Sequence, residues 1–422
     1  MMVDDWTTAK NLAATWEDLK STRGRDGSKP PPIGVDGVSA RAFDLRLEDN
    51  LREISRMLEQ PSRDGGRLTR YRFGPLRRKI ISREPGSIRE IFVPRIRDQI
   101  VLRAIGGLIK SNLAAGAQWT SNTSPRRAVK QVIAARENGC RFVMRTDIEK
   151  YYQSIPHDKL LDRVRNLNID GTALQLTADI LRTPLRNPAE GSERDVRPEQ
   201  GVPTGASIST ILGELYLADL LEELGAAGQL YLVRYMDDLL LASASMDDLE
   251  EGTARLESAI RRKGLLLSKA KTKWTSFEDG FEFLGFNFKG GKVLVSGRKS
   301  LRWVRMYQGI ARKYIERVNA FDPPGGSNEP LREMIVEFNS EISGATGMLV
   351  PYYSMADDLE PFRQLDRQIR RVIGGIFRRQ NLKMEGDFRV ESAHAWAWKY
   401  KRGYEKAMAA AQKKFAARAD AG

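Results

Sequence analysis

The chain has 422 residues, with 69 Lys and Arg against 55 Asp and Glu, a formal net charge of +14 and a sequence pI near 9.7. That length allows two or three packed units, and the positive excess favours a polyanionic partner such as nucleic acid. A single cysteine, Cys140, and two histidines exclude an intrachain disulfide and disfavour a thiolate zinc site or a Ser-His triad. The acidic start MMVDDWTTAK and the lack of a long apolar run predict a soluble cytoplasmic protein with no membrane partner.

In chain order, residues 23–33 read as a Gly- and Pro-rich linker after a short helical start, and residues 39–58 as a helix with Leu45, Leu51 and Ile54 on its apolar stripe. Between Arg63 and Arg97 there are eleven Lys or Arg against three acids, with two short apolar pieces around Ile80 and Phe92 joined by Glu84-Pro85-Gly86-Ser87. This is a basic hairpin, either a solvated edge or a phosphate contact, since arginine forks two hydrogen bonds onto phosphate oxygens. Helical patterns follow at 98–113 and 124–137, then a short buried strand at 140–145 with Asp147 just past it.

Residues 159–181 and 207–224 are again helical in pattern, and two apolar strands, 230–234 and 239–242, flank Tyr235-Met236-Asp237-Asp238. Beyond Asn287 the pattern is helical, with a Gly/Pro break at 322–327 as a candidate boundary. The segment 399–418 has seven basic residues against Glu405, which suits either a solvated terminal helix or contact with a nucleic-acid backbone.

Met-Asp-Asp-Leu occurs at Met236 and again at Met246, and Met-Ala-Asp-Asp-Leu at Met355. Asp237 and Asp238 lie between apolar strands, where charge is costly unless something uses it. Two divalent cations about 3.5–4 Å apart would, and Asp147, at the end of another apolar strand, is the natural third ligand. Mg2+ suits such a site because it takes oxygen ligands and keeps several waters. The second copy has Ser245 as a helix N-cap and its acids in the first turn, where the helix dipole favours negative charge; Asp357 and Asp358 take the same reading.

The order of these features, with these residues, resembles reverse transcriptases, in particular the prokaryotic group with group II intron proteins, retrons and phage-defence enzymes. Tyr235-Met236-Asp237-Asp238 is similar to the family's Tyr-X-Asp-Asp box, and Arg145 to His157 to its first metal-binding motif. Residues 34–54 resemble an N-terminal extension, 77–101 a fingers motif, 200–217 the template-and-nucleotide motif, Lys271-Thr272-Lys273 a Lys-bearing motif, and Phe283-Leu284-Gly285-Phe286 a primer grip. Tyr352-Tyr353 and 362–371 resemble a helical thumb.

The resemblance implies an α+β right-hand polymerase: an N-terminal helical extension over 1–60, fingers and palm of antiparallel sheet plus helices over 61–290, a helical thumb over 291–398 and a basic helix over 399–422. It implies RNA-directed DNA synthesis from dNTPs on an RNA template, a structured noncoding RNA, to give cDNA in bacterial antiphage defence. Asp147, Asp237 and Asp238, with the Ile148 carbonyl, would hold two Mg2+ ions, with Mn2+ as the alternative. Arg83 and Arg89 would clamp the triphosphate, Lys271 would protonate pyrophosphate or be a solvated edge lysine, and Tyr152 would exclude a 2′-hydroxyl or be a core aromatic. Thr204 and Gly205 would neighbour the nucleotide, and Phe283, Leu284 and Gly285 the primer. His157 is expected to cap or pack. Two departures stand out: Pro203-Thr204-Gly205 replaces the usual Pro-Gln-Gly, as in defence-associated variants, and no Cys- or His-rich nuclease module is present, which counts against self-propagation as an intron. An RNA polymerase on the same palm and an RNA-binding maturase are the alternatives.

Overall fold

Short apolar runs bounded by acids and turn residues become strands in this chain, and the longer periodic segments become helices. The computed structural model describes residues 6–24, 33–61, 68–84, 87–115, 124–186, 199–224, 230–319 and 329–379. It has the mixed α+β architecture expected, and the chain divides into two compact units, residues 1–274 and 275–422.

The first unit opens with α1 (Ala9–Gly24), α2 (Ala40–Asp44) and α3 (Leu47–Glu59). The single helix expected over 39–58 is therefore two. Ser39 caps α2 by accepting a hydrogen bond from the Ala42 N–H, but Arg46 leaves helical geometry (φ −132°, ψ 39°) and resets the phase. Leu51 and Ile54 stay buried, whereas Leu45 falls at the break and is 80% exposed.

The basic hairpin forms as β1 (Leu76–Glu84) and β2 (Ser87–Val93), antiparallel, with Arg77 opposite Val93 and Ile81 opposite Arg89. The register slips between Ser82 and Glu84, so Arg83 sits at a bulge. Helices α4 (Ile96–Ala115) and α5 (Pro125–Glu137) follow, the latter with Ser124 as N-cap and Pro125 in its first turn. Next come β3 (Phe142–Asp147), α6 (Tyr151–Ser154), α7 (His157–Arg165) and α8 (Gly171–Leu181), then β4 (Leu185–Arg186), which adds a short parallel partner to β1. Then come α9 (Ser209–Tyr216), α10 (Leu220–Leu224), β5 (Tyr231–Tyr235), β6 (Asp238–Ser243), α11 (Met246–Arg262) and β7 (Lys273–Ser276), in which the chain passes into the second unit.

The central sheet has the order β5-β6-β3-β7. One buried cluster runs from Trp6 to Leu265 and joins the helices to this sheet. At α11 Ser245 accepts a hydrogen bond from the Asp248 N–H, with Asp247 and Asp248 in the first turn, so the second Met-Asp-Asp-Leu is a helix start.

The second unit begins with a three-stranded antiparallel meander, β8 (Phe281–Phe283), β9 (Phe286–Lys289) and β10 (Lys292–Val295). The helix expected to follow Asn287 therefore starts only at α12 (Gly297–Asn319), and α13 (Glu329–Tyr353) and α14 (Glu360–Arg379) come after it. Gly290 and Gly291 turn the strand back with φ of 53° and 72°, both positive as a two-residue hairpin turn of this kind requires. Phe281 stacks on Phe288 at 5.0 Å, and Trp303 packs against Tyr353 at 4.6 Å and Phe362 at 5.2 Å. Asp358 accepts the Glu360 N–H at 2.8 Å, as a helix start should, but Asp357 instead accepts the Val293 N–H at 2.7 Å and fastens β10. Most of the 23–33 linker, the 322–327 break and the basic segment 399–418 lie outside the described residues.

Candidate active site

Three strands deliver the carboxylates. β3 and β6 pair so that Phe142 meets Ser243 and, five positions on, Asp147 meets Asp238. β5 and β6 are joined by a tight turn in which Met236 takes a left-handed φ of 55°, and the Asp237 carbonyl accepts the Ile148 N–H at 3.2 Å. A non-glycine residue held in that region is strained, and such strain clusters where a side chain must be aimed. Ile148 itself is buried and bridges to Leu267, while the Asp147 carbonyl accepts the Ser268 N–H at 2.8 Å.

The electrostatics are those of a crowded anionic site. Burial, then the charges of Asp237 and Asp147, push the Asp238 carboxyl up to about 6. Asp147 is 7% exposed; its Oδ2 accepts from Lys271 Nζ, and its Oδ1 is buried with no hydrogen-bond partner. The hydrogen bond to Asp147 is the main reason the Lys271 ammonium is held above its ordinary value. Among the described residues no three acid, imidazole or thiolate groups already form a closed cation cage. An orphaned carboxylate oxygen beside two further carboxylates nonetheless fits a hard cation that takes the rest of its ligands from water and substrate phosphate.

Beside the carboxylates lies α6, entered through Lys150 at φ 45°. Tyr152 is half-buried, hydrogen-bonded with Thr210, and raised to about 12 by burial first and by the charge of Asp237 next. Its ring rests against Gly213, where a Cβ would come within 2.9 Å of Tyr152 Cε1. Val202 N–H donates to the Tyr152 carbonyl at 2.6 Å, so the loop carrying Pro203, Thr204 and Gly205 starts from the same place. Thr204 Oγ1 donates to the Glu90 carbonyl at 2.7 Å, and Gly205 has φ 99°.

Asp147, Ile148, Tyr152, Asp237, Asp238 and Lys271 are thus gathered at one end of the central sheet, with Thr204 and Gly205 against β2. Arg83 and Arg89 belong to the backbone of the hairpin, but their side chains lie outside the described part of the structure. Phe283, Leu284 and Gly285 belong to the second unit, where Leu284 and Gly285 form the β8–β9 turn with φ of 48° and 87°, and the Leu284 carbonyl accepts from the Tyr352 hydroxyl at 2.8 Å. His157 packs as expected: it is buried in the first turn of α7, and its Nε2 is 2.7 Å from the Gly201 carbonyl.

One pair escaped the sequence reading. Arg234, directly before Tyr235, donates to Glu214 of α9 at 2.8 Å, with side chains only 5% and 2% exposed. The signal was available, since Glu214 is an acid inside an apolar helix and Arg234 a base inside an apolar strand, and each needs a partner of opposite sign.

Residues 80–288, close to half of the chain, match the family model described as reverse transcriptase (RNA-dependent DNA polymerase). Protein YkfC of Escherichia coli (strain K12) is 25% identical over 325 residues, covering 64% of this chain and 78% of that protein. The Gag-Pro-Pol polyprotein of Simian retrovirus SRV-2 is 29% identical over 93 residues, which is 22% of this chain and 5% of the polyprotein. Among solved structures, telomerase from Candida tropicalis in complex with a TWJ fragment of telomeric RNA shares 13% identity at a TM-score of 0.49, over 74% of this chain and just 56% of that one. Telomerase from Candida albicans with the same type of fragment shares 13% identity at a TM-score of 0.42, over 81% of this chain and 74% of that one. The matched segment contains β3, β5 and β6 and all three converging aspartates, so residues 80–288 match as a reverse transcriptase (RNA-dependent DNA polymerase) domain.

Proposed function

We propose that this chain copies an RNA template into cDNA from dNTPs, with Asp147, Asp237 and Asp238 as its catalytic carboxylates. Residues 61–290 act as fingers and palm and 291–398 as thumb, with a helical extension over 1–60 and a basic segment over 399–422 that contacts nucleic acid. The observation that carries this reading is the pairing of Asp147 with Asp238 at the strand ends, with Asp147 Oδ1 buried and unbonded. A dry, unpaired acceptor costs free energy that a cation ligand recovers. The three carboxylates and the Ile148 carbonyl would hold two Mg2+ ions, or Mn2+, which would make the attacking hydroxyl more acidic and offset the negative charge of the departing pyrophosphate.

In the reaction the primer 3′-hydroxyl gives up its proton to water, and its oxygen bonds to the nucleotide α-phosphorus as the bond to pyrophosphate breaks. The hairpin supplies Arg83 and Arg89 to the β and γ phosphates, where a planar guanidinium grips two oxygens at once. Lys271, a cation at neutral pH, carries at Nζ the proton that pyrophosphate takes as it leaves. Tyr152 lies under the sugar and excludes a 2′-hydroxyl, Thr204 and Gly205 stand beside the nucleotide, and Phe283, Leu284 and Gly285 support the primer.

The template in this proposal is a structured noncoding RNA and the setting bacterial antiphage defence, supported by Pro203-Thr204-Gly205 in place of Pro-Gln-Gly. Purified protein supplied with labelled dNTPs and its co-purified RNA should make DNA, and Asp237→Ala should not. Equal background incorporation by both ends the polymerase reading, and an Asp237→Ala chain that still protects cells from phage replaces it with an RNA-binding one.

A further inference from the structure

β2 is the outer strand of its sheet, so among the described residues one edge of it has no strand partner. The Glu90 carbonyl and the Phe92 N–H lie two residues apart and share an edge, because backbone polar groups alternate along a strand. Thr204 satisfies both. Its carbonyl accepts from the Phe92 N–H at 2.7 Å, and its Oγ1 donates to the Glu90 carbonyl at 2.7 Å. A residue on a neighbouring strand would offer its carbonyl and its own N–H to those two groups; here a hydroxyl stands where the N–H would be.

The flanking residues fit close docking. A Cβ on Gly205 would lie 3.1 Å from Ile91 Cβ and 3.2 Å from the Phe92 carbonyl oxygen, so the loop approaches β2 at a distance that only glycine allows easily. Ser209 Oγ donates to the Pro203 carbonyl at 2.6 Å, and Gly201 N–H to the Ile155 carbonyl at 2.8 Å. With the Val202 bond to the Tyr152 carbonyl, an unbroken series of short backbone links runs from β2 through Thr204 to Tyr152.

We infer that Thr204 is a positioning residue that completes a one-residue β-bridge through its hydroxyl and so holds the basic hairpin at a fixed spacing from the Tyr152 segment before nucleotide arrives. Its effect on nucleotide binding rests on the function proposed above; the bridge itself does not. The requirement is specific. Serine keeps the donor at the same place, valine keeps the shape without the donor, and glutamine carries its donor too far out along the side chain.

The test compares the full-length wild type with Thr204→Val and Thr204→Ser. Amide exchange over residues 87–93 and 142–147 is measured, together with KM and kcat for dTTP on poly(rA) primed with oligo(dT). Thr204→Val should speed exchange over 87–93 about fivefold, the effect of one hydrogen bond of ordinary strength. Exchange over 142–147 should not change, which shows that the variant is folded. KM for dTTP should rise about fivefold with a smaller fall in kcat, and Thr204→Ser should return both values toward wild type. Wild-type exchange in Thr204→Val, or no rescue by serine, overturns the bridge. Faster exchange with unchanged KM overturns the positioning role. The expected exchange pattern in a protein that polymerises nothing upholds the bridge and removes the polymerase reading.

Discussion

Asp147 and Asp238 are direct cross-strand partners, the last pair in the register between β3 and β6. Burial, then the charge of Asp237, then that of Asp147 opposite it, raise the Asp238 carboxyl to about 6 from an ordinary 3.8, since like charges placed together in a dry sheet are costly. The folded chain therefore binds more protons than the unfolded one between about pH 4 and pH 6. Its stability falls as pH rises through that window and stays lower above it. Asp238→Asn removes this loss, and in urea titrations with EDTA it should stabilise the protein at pH 7.5 by on the order of 2 kcal/mol. The gain should vanish below about pH 4. The same variant should lower dNTP incorporation at least about 100-fold. Asp238→Asn with wild-type stability at pH 7.5 would show that the site carries no such electrostatic cost.

The buried ion pair behind Tyr235 makes a different prediction. Breaking one partner of such a pair costs about 3–5 kcal/mol because the other is left charged and dry, whereas replacing both with apolar residues is often neutral. Arg234 Nη1 already lacks a partner, so the pair is not fully satisfied even in the native chain. Glu214→Met should therefore destabilise by about 3–5 kcal/mol in chemical denaturation, and Glu214→Met with Arg234→Met should recover most of that. Additive losses in the double variant would mean that the two side chains are not coupled.

The carboxylate site was legible in the sequence because its signal is local: an acid at the end of an apolar strand is costly, and there are few such places. Ser245 identified the second Asp-Asp as a helix start by the same kind of local reasoning, and α11 begins there. Reading failed where the deciding contact is distant. Asp357 looked like its neighbour Asp358, but it fastens the Val293 N–H, 64 residues earlier in the chain. Thr204 looked like a lost glutamine, and only the approach of β2 explains its hydroxyl. The meander after Phe281 failed for another reason. Lys289-Gly290-Gly291-Lys292 between alternating apolar residues is a hairpin signal, but the strands are four residues long and helical periodicity beyond them is strong. Leu45 was lost at a helix break two residues wide, too short for periodicity to register.

The hairpin depends on one buried acid at its base. Asp98 is 1% exposed and accepts from the Tyr71 hydroxyl at 2.8 Å, the Gly74 N–H at 3.2 Å and Arg95 Nε at 2.8 Å. Gly74 precedes β1 and Arg95 follows β2, so one carboxylate ties both ends of the hairpin. Asp98→Ala leaves a half-buried guanidinium and a buried phenol without this acceptor and should cost about 2–3 kcal/mol, whereas Tyr71→Phe should cost about 1 kcal/mol. Thermal and urea unfolding measure both. Asp98→Ala within 1 kcal/mol of wild type would show that Arg95 finds another acceptor.

Gly213 provides the sharpest test of Tyr152. Glycine inside a helix is ordinarily about 1 kcal/mol worse than alanine, so Gly213→Ala in α9 should stabilise the protein if nothing else changed. A Cβ there would, however, sit 2.9 Å from Tyr152 Cε1 and 3.3 Å from Tyr151 Cε1. Tyr151 is 2% exposed and bound through its hydroxyl to the Gly213 carbonyl, so it has little room to move. Tyr152 must give way instead, and it is the ring proposed to lie under the sugar. Gly213→Ala should therefore lose the expected helix gain and shift the ratio of ribonucleotide to deoxynucleotide incorporation, in the direction set by Tyr152→Ala, which should raise ribonucleotide use at least about tenfold. Competition between rNTP and dNTP on one primed template measures the ratio. If Gly213→Ala gains the full 1 kcal/mol and discriminates like wild type, the ring moves freely, and a ring that moves freely cannot be what excludes the 2′-hydroxyl.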